Sequence, residues 1–234
     1  NTIFILAAGN VNSGSFDDLR ALSTKAKASG AWVHVDGAFG LWAAASKDYR
    51  HLCDGIELAD SWSVDAHKTL NAPYDSGIIF CRDRDALISA LQADGAYLQW
   101  SDKRENMLLT ADMSRRARGI ELWATLITMG RNGVSDLIDR LCTHAQDIAH
   151  KLSTKDFRIL NEVVFNQVIV ACRTPEETQS TLNNIQASGE CWCGGSTWDG
   201  EPVIRVSVCS HATTTADIDR TVEAFVTARN AAQS

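Results

Sequence analysis

Short apolar runs alternate with amphipathic stretches through the first third of the chain. Residues 2–7 read as a buried strand, and residues 9–14, rich in Gly, Asn and Ser, as a loop. Ser15, with Asp18 three positions on, predicts a capping box at the head of a helix that runs to about Ser29, with Gly30 as its stop. Residues 32–35 form a second strand ending at Asp36-Gly37, and residues 61–64 and 77–81 two more short apolar runs. This strand–helix–strand rhythm predicts a parallel α/β sheet, in which ligands bind beyond the carboxyl ends of the strands.

The pattern then changes. Residues 111–129 are apolar nearly all round, which predicts a long buried helix. Val134, Leu137, Ile138, Leu141, Ile148 and Leu152 mark a second helix with a single apolar stripe. Gly130 and Gly133 between them suggest a hinge, so residues 1–132 are expected to form part of a large domain and residues 133–234 a small α+β domain. The small domain is expected to hold strands at 163–172, 191–198 and 203–208 in a largely antiparallel sheet. Helices at about 175–187 and 215–229 are interleaved with them.

Composition narrows the classes. The 234 residues are 45% hydrophobic and 22% charged, as in ordinary globular domains. A net charge of −7 argues against nucleic acid as a partner. No apolar run approaches the roughly 18 residues of a membrane span, and none reads as a signal peptide. Seven scattered cysteines do not form a disulfide framework and fit a reducing, cytoplasmic compartment. Cys191-Trp192-Cys193 with His211 is poor zinc spacing, so no metal is expected. The chain begins at Asn1, directly on a strand pattern, and reads as part of a larger protein.

The chemistry concentrates in two strand-end segments, His34-Val35-Asp36-Gly37-Ala38-Phe39-Gly40 and Asp65-Ala66-His67-Lys68. A buried strand-end carboxylate and a lysine on a neighbouring strand-end loop suit pyridoxal phosphate. The lysine amine forms a Schiff base with the cofactor aldehyde, and the carboxylate keeps the pyridine nitrogen protonated. Taken singly, Asp36 ends a strand and Lys68 is a solvated loop lysine; taken together they point to the cofactor.

These segments, the second extended through Thr69-Leu70-Asn71-Ala72-Pro73-Tyr74-Asp75-Ser76-Gly77, resemble the group II pyridoxal-phosphate-dependent amino acid decarboxylases. Gly14-Ser15-Phe16-Asp17, Ser114 to Gly119, Phe165-Asn166-Gln167 and Ile204-Arg205-Val206-Ser207 extend the likeness over essentially the whole chain. The resemblance implies an α/β chain, the C-terminal part of a fold type I enzyme. A partial, parallel-rich large-domain sheet would be followed by a small α+β domain. It also implies pyridoxal 5'-phosphate, removal of the α-carboxylate of an L-amino acid to give an amine, and a homodimer with its site at the interface. The family carries further residues before this point, so the chain is expected to be a fragment.

The resemblance assigns roles residue by residue. Lys68 would be the Schiff-base lysine, Asp36 the pyridinium partner, and Ala38 a small residue against the ring. His67 would sit by the phosphate or the bound substrate, or else be a satisfied loop histidine. Family members often have Asn at Asp65, where it helps hold the phosphate; an aspartate would repel phosphate unless its backbone donates. Asn10 stands where Thr is common beside the cofactor, with loop capping as the alternative. Tyr97 would return a proton to the substrate carbon, or be an exposed packing tyrosine. Arg205 would grip a substrate carboxylate, or form an interdomain salt bridge. The Arg115, Arg116 and Arg118 cluster reads as a helix start or dimer contact before an anion grip. Rival outcomes are an aminotransferase, a carbon–carbon lyase, and a catalytically silent chain that pairs with a complete paralogue.

Overall fold

The computed structural model describes residues 2–92 and 105–233. Two four-stranded sheets organise it. The first runs β1 (Ile3–Ala7), β2 (Trp32–Asp36), β3 (Ser61–Asp65) and β4 (Gly77–Cys81) in that spatial order. Strands β1, β2 and β3 are parallel, with Ala7 opposite Asp36 and Asp36 opposite Ser63. Strand β4 departs from the parallel rhythm and runs antiparallel to β3, with Gly77 opposite Asp65. Residues 66–76 contain no helix, and a parallel return needs a crossover of a dozen or more residues. The chain therefore comes straight back, and the turn-back carries Lys68.

Helix α1 (Leu19–Ala28) covers one face of this sheet, where Leu6, Val33, Val35 and Leu19 are buried. Its N-cap is Asp18, whose side chain accepts from the Ala21 amide at 2.9 Å. The expected Ser15–Asp18 capping box does not form. Asp18 is itself the cap, and the third helical residue is Ala21, which has no side-chain acceptor to complete a box. Ser15 instead bonds the Ser13 hydroxyl at 2.8 Å.

Asp60 ties α1 to the sheet. Its carboxylate takes Lys27 Nζ at 2.6 Å and the Val33 amide at 2.8 Å. Burial pushes the Asp60 carboxyl up, but the Lys27 and Val33 hydrogen bonds outweigh it and hold the group below its ordinary value. Asp60→Ala strands a buried amide and is expected to cost about 2 kcal/mol in urea unfolding at pH 7. A depressed carboxyl stabilises above its unfolded pKa and loses that contribution as pH falls through its folded one. The gap between wild type and variant should therefore close on acidification; a gap independent of pH would show that the ion pair contributes nothing.

After α2 (Arg84–Leu91), helix α3 (Gly119–Ser153) leads to the second sheet. Its backbone leaves helical geometry at Gly130, with φ 60° and ψ −178°, close to the expected domain boundary. The expected buried helix over 111–129 is overturned. Residues 106–109 form a short 3-10 turn and the helix begins only at Gly119. Leu122 and Met129 pack on the core, whereas Ile120 (67% exposed), Trp123 (64%) and Ile127 (65%) face away from it. An all-round apolar helix needs a second partner, and none of the described elements supplies one.

The second sheet has the order β5 (Arg158–Ile159), β6 (Gln167–Ala171), β8 (Glu201–Ser207), β7 (Gly194–Trp198), all antiparallel. The short β5 was not anticipated, and β6 and β7 begin later than expected. Residues 163–166 and 191–193 lead in as loops. Helices α4 (Pro175–Ser188), capped by Thr174, and α5 (Thr215–Ala232), with a Thr214–Asp217 capping box, close the fold. The main core packs α3, β6, β8, α4 and α5 together, and also takes in Ala66, Leu70 and Ala72 from the turn-back. No helix among the described residues is long and apolar enough to cross a membrane.

Candidate active site

Two loops bring the singled-out residues together. The first follows β2. Asp36 Oδ1 accepts from the Ala38 amide at 3.1 Å, and the Gly37 amide donates to Ser63 O at 3.0 Å. Gly40 packs directly on the loop after β1. A Cβ on Gly40 would lie 2.5 Å from Ala8 O, and one on Gly9, whose φ is +87°, 2.6 Å from Gly40 N. The second loop follows β3 and is fastened to the first. The Asp65 amide donates to Ala38 O at 3.3 Å, Thr69 Oγ1 donates to Phe39 O at 3.2 Å, and Trp42 Nε1 donates to Asp65 O at 3.0 Å.

Alternation within the second loop decides what faces the site. Ala66, Thr69, Leu70 and Ala72 are buried, and burying a leucine contributes about 2 kcal/mol. His67, Lys68 and Asn71 turn outward and line a cavity of about 570 Å³ between the two sheets, facing Arg205 and Cys209. Lys68 Nζ lies 2.9 Å from Asp65 Oδ2 and 4.4 Å from the centre of the Phe39 ring. His67 packs against Tyr74 with ring centres 4.0 Å apart and the planes tilted by 41°. Its Nδ1 accepts from the Ser76 amide at 3.0 Å, so the ring proton belongs on Nε2, which faces Asp65 Oδ2 at 3.5 Å. Asp65 thus holds a lysine and faces a histidine.

Arg205 enters the same cavity from β8. Its Nη1 donates to Val11 O at 3.3 Å, and its buried Nε has no partner among the described residues. No carboxylate among the described residues pairs with it, so the alternative of an interdomain salt bridge finds no partner among them. Burial pushes the Cys209 thiol up to about 11, against the opposing pull of the Lys68 and Arg205 charges.

Other expectations fare differently. Asp36 was expected to be buried and is exposed. It shares one sheet face with His34, Ser61 and Ser63, and no described helix covers that face. Asn10 does not line the cavity: its Oδ1 caps its own loop, accepting from the Asn12 and Ser13 amides at 2.9 and 3.2 Å. The arginine cluster is spent on acids, Arg115 with Asp112, Arg116 with Glu121 and Arg118 with Asp75. Tyr97 lies outside the described residues. Asn71, Tyr74, Phe39 and Cys209 were not singled out from the sequence. Asn71 and Tyr74 lie within the lysine motif and Phe39 within the aspartate motif, but nothing in a linear string shows which motif residues face a cavity.

The family model described as the pyridoxal-dependent decarboxylase conserved domain matches residues 2–173. The chain is 29% identical over 224 residues to an aromatic-L-amino-acid decarboxylase of Drosophila lebanonensis, covering 92% of this chain and 55% of that protein. It is 33% identical over 156 residues to an aspartate 1-decarboxylase of Aliivibrio fischeri, covering 66% of this chain and 28% of the relative. The solved structure of Oryza sativa TDC with PLP and tryptamine superposes with a TM-score of 0.90 at 22% identity, over 98% of this chain and 51% of that one. The chain thus spans about half, or less, of the length of the relatives it matches. With the family model covering the first sheet, both candidate loops and β6, the chain belongs to the pyridoxal-dependent decarboxylase family.

Proposed function

We propose that the whole protein is a pyridoxal-phosphate-dependent carboxy-lyase that removes the α-carboxylate of an L-amino acid. The observation that carries this reading is the placement of Lys68. Lys68 lines a cavity shared with Arg205, on a loop hydrogen-bonded to the one that follows Asp36. The donor set suits the cofactor and an amino acid. A lysine amine can bind an aldehyde, a carboxylate can face a pyridine nitrogen, and the unpartnered Arg205 Nε calls for an anion.

Bound pyridoxal phosphate supplies an electron sink for the bond broken at the substrate's α-carbon. Asp36 holds a proton on the pyridine nitrogen, and Ala38, the residue whose amide meets Asp36, leaves room for the ring. Asp65 holds the Lys68 ammonium in place before the cofactor is attached. His67, with Nδ1 committed to the Ser76 amide, offers Nε2–H to the site. Arg205 orients a carboxylate, Asn10 shapes the loop whose Val11 carbonyl braces Arg205, and Tyr97 returns a proton to the substrate carbon.

The first sheet presents Ile3 (68% exposed), Ile5 (66%) and Ile79 (63%) on the same open face as Asp36. Parallel sheets are covered on both faces. We assign that cover to the remaining length of the protein and to a second copy in a homodimer. Seven free cysteines support a reducing, cytoplasmic setting. The test supplies the full-length protein with pyridoxal phosphate and a panel of L-amino acids, and measures carbon dioxide, amine and keto acid. Carbon dioxide and amine in equal amounts are expected. Keto acid without carbon dioxide would make the protein an aminotransferase, and no product from any amino acid would make it a silent partner.

A further inference from the structure

The loop that carries Lys68 is fastened to the second sheet by the side chain of Asn71. Asn71 Nδ2 donates to Lys68 O at 2.7 Å and to Cys209 O, also at 2.7 Å. Its Oδ1 accepts from the His211 amide at 2.6 Å and faces His211 Nδ1 at 2.9 Å. An amide has two N–H donors and two oxygen lone pairs, and all four are used here. The pattern fixes the amide's orientation and requires the proton of His211 on Nδ1.

The far side of this latch is itself held. Arg140 Nη2, from α3, donates to His211 O at 3.0 Å, and Asn166 Nδ2 donates to Val208 O at 3.1 Å. The near side is held through Asp65, which takes Lys68 Nζ, and through the buried Leu70 and Ala72. Asn71 also sits at φ +54°, in the left-handed region that Asn enters more readily than other side-chain-bearing residues. Glycine would accept the backbone but make no bonds. Aspartate would keep the shape but turn an oxygen, in place of the donors, toward two carbonyls.

We propose that Asn71 is a positioning residue for Lys68, latching the lysine loop to residues 209–211 and so setting the gap between Lys68 and Arg205 across the cavity. The inference rests on Lys68 being the residue that takes the cofactor. A residue that only stabilised the fold would leave cofactor attachment unchanged in any variant that still folds.

The experiment uses the full-length protein stripped of cofactor and titrated with pyridoxal phosphate. Borohydride trapping and peptide mass measure attachment at Lys68, and the absorbance of the attached cofactor is followed against pH. Asn71→Gly keeps the backbone geometry and Asn71→Asp keeps the volume. Each is expected to weaken attachment about tenfold or more, the equivalent of about 1.4 kcal/mol, and to move the pH midpoint of the absorbance. His211→Ala removes the ring bond from the far side and should act in the same direction more weakly; it carries the test if either Asn71 variant fails to fold. Folded variants that load as tightly as wild type, with an unmoved midpoint, would overturn the proposal. A wild type that traps no cofactor on Lys68 would instead overturn the reading on which it rests.

Discussion

Lys68→Ala in the full-length protein is expected to abolish covalent attachment of pyridoxal phosphate and to lower turnover by at least about 100- to 10,000-fold, the range set by losing a positioned reacting group. Lys68 lines the cavity together with Arg205, whereas Lys27 and Lys151, paired with Asp60 and Asp219, are not among its lining residues. Alanine also leaves Asp65 without its 2.9 Å partner, so a second variant must separate attachment from charge pairing. Lys68→Arg does so. A guanidinium keeps the positive charge beside Asp65 but stays protonated at every working pH, so it is no nucleophile. Both variants should fold and neither should retain cofactor after borohydride treatment. In wild type the trapped mass should map to the peptide containing Lys68; a label on Lys47 or Lys103 would sink the assignment.

The strand-end placement of Asp36 and of the Lys68 loop was legible in the sequence because strand ends are punctuated. Apolar runs stop at Asp36-Gly37 and at Asp65, and open sheets present their strand ends to ligands. The α/β order of the first part and the antiparallel second sheet were legible for the same reason, since periods of 2 and 3.6 separate strand from helix. Period says which residues share a face and nothing of what covers that face. The apolar stripe at Ile120, Trp123 and Ile127 predicted burial and is exposed, and Asp36 was expected inside and lies on an open sheet face. Direction was hidden too. Strand β4 shows an ordinary apolar run, and only the lack of a helix between residues 66 and 76 shows that it runs back along β3. The Asn71 latch was beyond linear reading altogether, because its partners Cys209 and His211 lie 138 and 140 residues further along the chain.

Asp36→Asn should separate holding the cofactor from activating it. Asp36 ends β2 between Ala7 and Ser63, and its Oδ1 accepts from the Ala38 amide at 3.1 Å. An asparagine oxygen can keep that bond, so the loop that carries Ala38 and Phe39 should survive the change. On the proposed reading, what is lost is the charge that would hold a proton on the pyridine nitrogen. Each unit by which that nitrogen's pKa falls removes about 1.4 kcal/mol of preference for the protonated ring, and a few units leave the electron sink largely empty. Turnover is expected to fall at least about 100-fold while Lys68 still traps cofactor under borohydride. His34 offers an independent readout. Burial pushes its imidazole below the ordinary value, and the nearby Asp36 charge pulls it back up. Removing that charge is expected to lower the His34 pKa further, so its NMR titration should move to lower pH in the variant. Wild-type turnover with a shifted His34 titration would show that Asp36 carries its charge but not the role assigned to it. An unmoved titration would mean that Asp36 does not act on this face of the sheet at all.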